Sequence, residues 1–233
     1  MDQLSDSELA AVRPVNSEVT IEARVAETLR NLIVEGKLRP GIRLPYREMA
    51  TRLGVSVTPV RVSLRDLSNE GLVTISPRGT VRVTPLSVEE VDELYSARAG
   101  LESLLARRGV ERLSDAGILM MKKRFPTLER TQKELDLNGF LRAVWEFRLP
   151  CYSVAARPRI LEAVSVLVQR CGRYNFLALR YHERFLKALE YNQVFGDACA
   201  ARDAIAAEKI IRESNDWSRE VMVKLVASSD GAD

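Results

Sequence analysis

Between Thr20 and Leu86, glycine and proline recur at intervals that leave room only for short elements. VTIEARVAETLRNLIVEGKL places Ile21, Val25, Leu29, Leu32 and Ile33 on one helical stripe, and Gly36 supplies its stop. LRPGIRLP reads as a turn rich in Pro and Gly. YREMATRLG then predicts about two helical turns, with Met49, Ala50 and Leu53 inward and Gly54 as the C-terminal stop. In GVSVTPVRVSLRDLSNEG, Ser56 or Thr58 can cap a third helix, and Pro59 suits a first helical position because its missing N–H would have been unpaired anyway. That helix runs through Val60, Leu64 and Leu67 to Gly71. LVTIS and TVRVT, both rich in β-branched residues, flank PRG and predict a hairpin.

Three helices followed by a hairpin is the order of a winged helix-turn-helix, in which the third helix enters the major groove with its N-terminal residues toward base edges. Short donors at a helix start reach phosphate, and an arginine there reaches phosphate or guanine, so Ser56, Thr58 and Arg61 are candidate DNA contacts. Ser56 and Thr58 also suit plain capping, and Arg61 a solvated surface. Arg78 and Gly79 at the hairpin tip are the candidate wing. The charge distribution agrees. Residues 20–86 carry 11 Lys and Arg against 6 Asp and Glu, whereas residues 87–233 carry 23 against 22, within a formal net charge of +3.

Residues 87–226 lack convincing alternation, hold few glycines and repeat apolar residues at three and four, which predicts an all-helical part. Ser87 and Glu90 have capping-box spacing, and Val91, Leu94, Ala97, Leu101, Leu104 and Leu105 follow on one side. Pro126 is expected to break the next helix and Pro150 to kink the one after, with a fresh start at RPRI. Further helices are expected over 159–179, 182–201 and 203–226. The fold class is therefore mainly α: a winged helix-turn-helix at 19–86 after an arm at 1–18, then a bundle of about six or seven helices at 87–227 and a tail at 228–233.

A chain of 233 residues with 46% apolar composition can bury a real core. Cys151, Cys171 and Cys199 are odd in number and widely spaced, which suits buried thiols in a reducing compartment better than a disulfide or zinc framework. No apolar run reaches ~18 residues and the N-terminus has no signal-peptide pattern, so a cytoplasmic protein without a membrane partner is expected. GxSxG, P-loop, GxGxxG and HExxH spacings are absent and His182 is the single histidine, which argues against an enzyme and against catalytic residues. His182 reads as a surface or helix-start residue, and Trp145, Phe147, Phe176 and Phe185 as core. The KKR run at 122–124 reads as a solvated face.

The stretch LRPGIRLPYREMATRLGVSVTPVRVSLRDLSNEGLVTISPRGTVRVTPLS resembles the GntR-type bacterial regulators, with their PG turn, GVS-x-TPVR block, EGLV step and RG wing. The resemblance implies DNA contacts from Arg47, Ser56, Thr58, Arg61, Arg78, Gly79 and Thr80. Many members carry Arg between the Ser and Thr of the block, where this chain has Val57, which cannot donate to guanine but can pack on a thymine methyl.

EEVDELYSARAGLESLLARR resembles the start of the FCD effector domain of the fatty-acid-regulator-like branch, and VWEFRLPCYSVAARPRI and NQVFGDACAARDAIAAEKIIRES resemble its later motifs. In metal-binding members of that branch, an Asp and three His hold a divalent ion that grips a small carboxylate. The aligned residues here are Val144, Arg148, Asn192 and Ser214, none a good ligand, so no metal or other cofactor is expected. Arg148 would instead hold an organic acid directly, helped by Asn192, Ser214, Tyr152 and Arg173. Alternatively the pocket has degenerated and Arg148 pairs with Glu146 or Glu190. The expected function is a homodimeric, ligand-responsive repressor on operator DNA. The alternatives are a regulator without an effector and, from another class, an enzyme acting on a small carboxylate.

Overall fold

The computed structural model describes residues 20–172, 174, 177 and 182–229. Helix α1 (Ile21–Val34) starts where the Thr20 hydroxyl accepts the Ala23 N–H at 3.2 Å, and it buries Val25, Ala26, Leu29 and Ile33. Ile21, expected on that stripe, is 57% exposed because it stands at the first helical position, beyond the last turn packed on the core. Gly36 follows the helix at φ +71°.

Helix α2 (Tyr46–Leu53) ends at Gly54, whose φ of +66° lies in the left-handed region that a Cβ disfavours. Ser56 then occupies the N-cap of α3 (Val57–Asn69). Pro59 is the third residue of α3 rather than its first; its missing N–H is still one of the first-turn donors that have no intrahelical acceptor, so the shift costs nothing.

Strands β1 (Val73–Ile75) and β2 (Val81–Val83) pair antiparallel, Val73 opposite Val83 and Ile75 opposite Val81. The segment read as a turn also joins this sheet: Leu44 N–H donates to Val81 O, and Val83 N–H to Ile42 O, both at 2.9 Å. Leu29, Ile33, Leu44, Val60, Leu64, Leu67, Leu72 and Val81 close one small core beneath these elements.

Six further helices are described: α4 (Val88–Val110), α5 (Asp115–Lys133), α6 (Leu137–Ser153), α7 (Pro158–Gly172), α8 (His182–Ala200) and α9 (Ala204–Ser229). Helix α4 lies along α9 and also touches α6 and α7, while α5 packs on α6 and α8. Being covered on several sides, α4 does not follow a single apolar stripe. Ala97 is exposed, and Glu102 and Ser103 are buried instead. The Ser87 hydroxyl accepts the Glu90 N–H at 3.1 Å as the capping spacing predicts, while the Glu90 carboxylate accepts from Tyr174.

Pro126 does not break its helix: α5 continues through it. The proline is exposed, so the carbonyl that it leaves without an intrahelical donor is at the solvent side, and buried Met121, Leu128, Thr131 and Gln132 hold the rest of the helix down. Helix α6 likewise runs through Pro150, and the fresh start at RPRI is present at Pro158. Phe147 and Phe185 are buried and Trp145 half-buried, in agreement with a core reading; Phe176 lies outside the described residues. His182 opens α8.

Helices α4 and α6 approach closely at Gly109, where a Cβ would fall inside the contact radius of the Cys151 carbonyl oxygen and Sγ. Gly109→Ala gains about 1 kcal/mol of helix propensity. The displaced neighbour is backbone, however, so overpacking dominates, with a net loss of about 1–3 kcal/mol in urea unfolding.

Candidate functional site

Two groups of residues stand apart from the cores. The first is an exposed cationic surface on the N-terminal module. Arg47 in the first turn of α2, Ser56 and Thr58 at the start of α3, Arg61 one turn on, and Arg78 and Gly79 at the hairpin tip are all exposed, with Thr80 half-buried. Ser56 stands at the N-cap position as expected, and its hydroxyl makes no capping bond to α3. Arg61 lies over the Tyr46 ring with its guanidinium carbon 5.0 Å from the centroid, which links α3 to the start of α2. Gly79 takes φ +76° and donates its N–H to Ser76 O at 2.8 Å, closing the tip. Val57 is the exception: it is half-buried and packs against the module core.

The second group is buried in the helical bundle. Arg148 on α6 is 4% exposed and uses all three of its nitrogens within the chain. Nε donates to Asn192 Oδ1 on α8 at 2.8 Å, Nη1 to Glu102 Oε2 on α4 at 3.1 Å, and Nη2 to Ser214 Oγ on α9 at 3.4 Å. Three of the four positions that replace the metal ligands of the resembling family therefore meet in one network, and Val144 lines the cavity beside them. Tyr152 joins through its hydroxyl, which donates to Glu102 Oε2 at 3.1 Å. Arg173 lies outside the described residues.

Glu102 is the centre that sequence reasoning missed. The carboxylate paired with Arg148 comes from α4, not from Glu146 or Glu190; both of these are exposed, and Glu190 pairs with Lys187. Arg98, four residues before Glu102, holds its other oxygen at 2.8 Å. That spacing was the available signal, since residues four apart share a helix face, but surface pairs have the same spacing and nothing local separates the two cases. Burial pushes the Glu102 carboxyl up, and Arg98 and then Arg148 outweigh it, so the group sits below the ordinary glutamate range. Burial and the adjacent Glu102 charge raise the Tyr152 phenol well above its usual value, which keeps it a neutral donor.

A cavity of about 540 Å³ adjoins this network. Phe140, Trp145, Phe185 and Trp217 contribute apolar wall, Arg98, Glu102, Arg148, Asn192 and Ser214 a polar end, and Arg30 and Glu70 of the N-terminal module also line it. Those two form a bidentate pair at 2.8 and 2.6 Å between α1 and the end of α3. A divalent cation does not fit the four positions, which offer an isopropyl group, a guanidinium, an amide and a hydroxyl, with the fixed positive charge among them. Among the described residues no cluster of three or more His, Cys, Asp or Glu is suited to a metal. Cys151 is fully buried, and hydrogen bonding to Cys199 followed by burial pushes its thiol up, the opposite of a reactive thiolate. No described helix is long and apolar enough to cross a membrane.

Glu102→Gln leaves Arg98 and Arg148 without a counter-charge in the interior, and an unfolding loss of roughly 3–5 kcal/mol is expected from denaturant titration. Because the folded-state carboxyl is depressed, its contribution is complete above the unfolded pKa of about 4.3 and is lost as pH falls through the lower folded value. The acid limb of the stability curve therefore flattens in this variant.

Residues 21–83 match the family model of bacterial regulatory proteins of the gntR family, and residues 93–215 match the FCD domain. The HTH-type transcriptional regulator McbR of Escherichia coli is 27% identical over 154 residues, spanning 66% of this chain and 70% of its own length. The HTH-type transcriptional repressor RspR of Escherichia coli is 28% identical over 232 residues, spanning 92% and 98%. In fold, the chain is similar to the solved structure of Escherichia coli McbR/YncC, with a TM-score of 0.74 at 22% identity over 89% of this chain and 99% of that one. The two matched regions coincide with the module of three helices and a hairpin and with the helical bundle, in that order. The chain accordingly belongs to the GntR family of bacterial DNA-binding transcription regulators and carries an FCD domain.

Proposed function

We propose that this regulator is a homodimeric, cytoplasmic repressor that grips operator DNA through residues 19–86 and is released by a small organic acid bound without metal in the helical domain, residues 87–227. The observation that carries the ligand half is a charge imbalance. The buried guanidinium of Arg148 and the half-buried one of Arg98 share the carboxylate of Glu102 at the polar end of the cavity. An excess positive charge in the interior is costly unless compensated, and a ligand carboxylate supplies the missing charge. Asn192, Ser214, Tyr152 and Arg173 complete the proposed site, while the apolar wall takes the body of the acid. With Arg30 and Glu70 in its lining, a filled cavity has a short mechanical route to α1 and α3. The name of RspR, a repressor, supports the sign of regulation.

For DNA, the proposed contacts are Arg47, Ser56, Val57, Thr58, Arg61, Arg78, Gly79 and Thr80, presented twice by a dimer to half-sites about one helical turn apart. A second reading, a regulator whose pocket no longer takes a ligand, is favoured by one observation: Arg148 is already engaged by Glu102, Asn192 and Ser214. Calorimetry with a panel of short carboxylates separates the two. Heats that vanish in Arg148→Ala, from an acid that also weakens DNA binding, support the first reading; no heat from any acid supports the second. If Arg47, Arg61 and Arg78 each meet phosphate in both protomers, log affinity falls with log salt with a slope of roughly 5. Removing Arg78 lowers that slope by about 2 in fluorescence anisotropy.

A further inference from the structure

We infer that Val62 reads a thymine methyl group and so sets base preference near the middle of the recognition helix. The inference rests on the reading above that α3 lies in the major groove. On α3 the residues Thr58, Val62, Arg65 and Asn69 follow one another at helical spacings of four, three and four, and all are exposed. Val60, Leu64 and Leu67, on the opposite side, are at 0% exposure. Val62 is therefore the apolar member of an outward face whose other residues, with Arg61 and Asp66, are polar or charged. At 42% exposure it leaves its branched side chain in water in the free protein.

Val57 was the expected apolar reader, but it is half-buried against the module core and has less surface to offer. Val62 lies one turn further along, about 6 Å from Thr58 along the axis. That advance is close to two base-pair steps of about 3.4 Å, so its partner is displaced by about two pairs from the one that Thr58 faces. A valine has no donor or acceptor, and the one apolar group on a major-groove edge is the thymine C5-methyl. Packing the two together removes both from water. Arg61 and Arg65 on either side supply phosphate attraction, while Val62 contributes discrimination.

The test uses full-length protein and a randomised duplex pool. Preferred duplexes are selected with the wild-type chain, and each thymine in the consensus is then replaced singly by uracil, which removes only the methyl. One thymine is expected whose replacement weakens wild-type binding about three- to fivefold, the scale of one buried methyl. Val62→Ser and Val62→Asn, which offer no methyl group, bind the thymine and uracil duplexes within a factor of about 1.5, whereas the surface control Leu119→Ser in the helical domain, at a residue 53% exposed, retains the wild-type preference. Because Val62 is exposed, neither change threatens folding, and circular dichroism checks this. A uracil effect that persists in both Val62 variants overturns the inference but leaves major-groove docking standing. Enrichment without any uracil effect does the same. Failure to enrich any duplex overturns the docking reading and this inference with it.

Discussion

The carboxylate of Glu102 ties the helical domain together. It belongs to α4 and is shared by Arg98 of the same helix, Arg148 and Tyr152 of α6, and through Arg148 by Asn192 of α8 and Ser214 of α9. Four helices thus converge on one polar network inside an apolar bundle. Such a network tolerates little misplacement, because any member left unpaired in the interior carries its full desolvation penalty. The geometry of the cavity follows from this constraint, since the same side chains form its polar end.

The network also gives the helical domain a defined polar interior built around one guanidinium. A divalent ion organises its surroundings by charge and coordination; a guanidinium does so with a fixed planar set of donors. Arg148 points one nitrogen at each of α4, α8 and α9, so it links those three helices to its own. Its charge is matched against a carboxylate that Arg98 also claims. The link from the cavity to the N-terminal module is short, because Arg30 and Glu70 are among its lining residues and Arg170 of α7 lies over the turn at Gly71.

Most of the N-terminal module was legible because its elements are bounded by local chemistry. Gly36, Gly54, Gly71 and Gly79 all take positive φ, and each marks a boundary that the sequence announces. The segment at 41–44 was not legible, since its pairing to β2 depends on a strand some 40 residues away rather than on its own Pro and Gly content. Pro126 misled for the complementary reason. Its cost depends on whether the orphaned carbonyl faces water, and a helix period read in one dimension carries no information on that.

By itself, the sequence determined what short-range forces decide: the order of helices and hairpin, the glycine stops and the buried stripe of α3. Only the tertiary structure decided which charges meet. Arg148 chose Glu102 over the nearer Glu146 because α4 and α6 pack with those two side chains turned into the same interior, while Glu146 faces solvent. Val57 turned toward the core and Val62 away from it for a similar reason, their surroundings being set by what α3 packs against. Pairing and exposure in three dimensions depend on contacts between distant segments, and a one-dimensional pattern of residue types does not specify them.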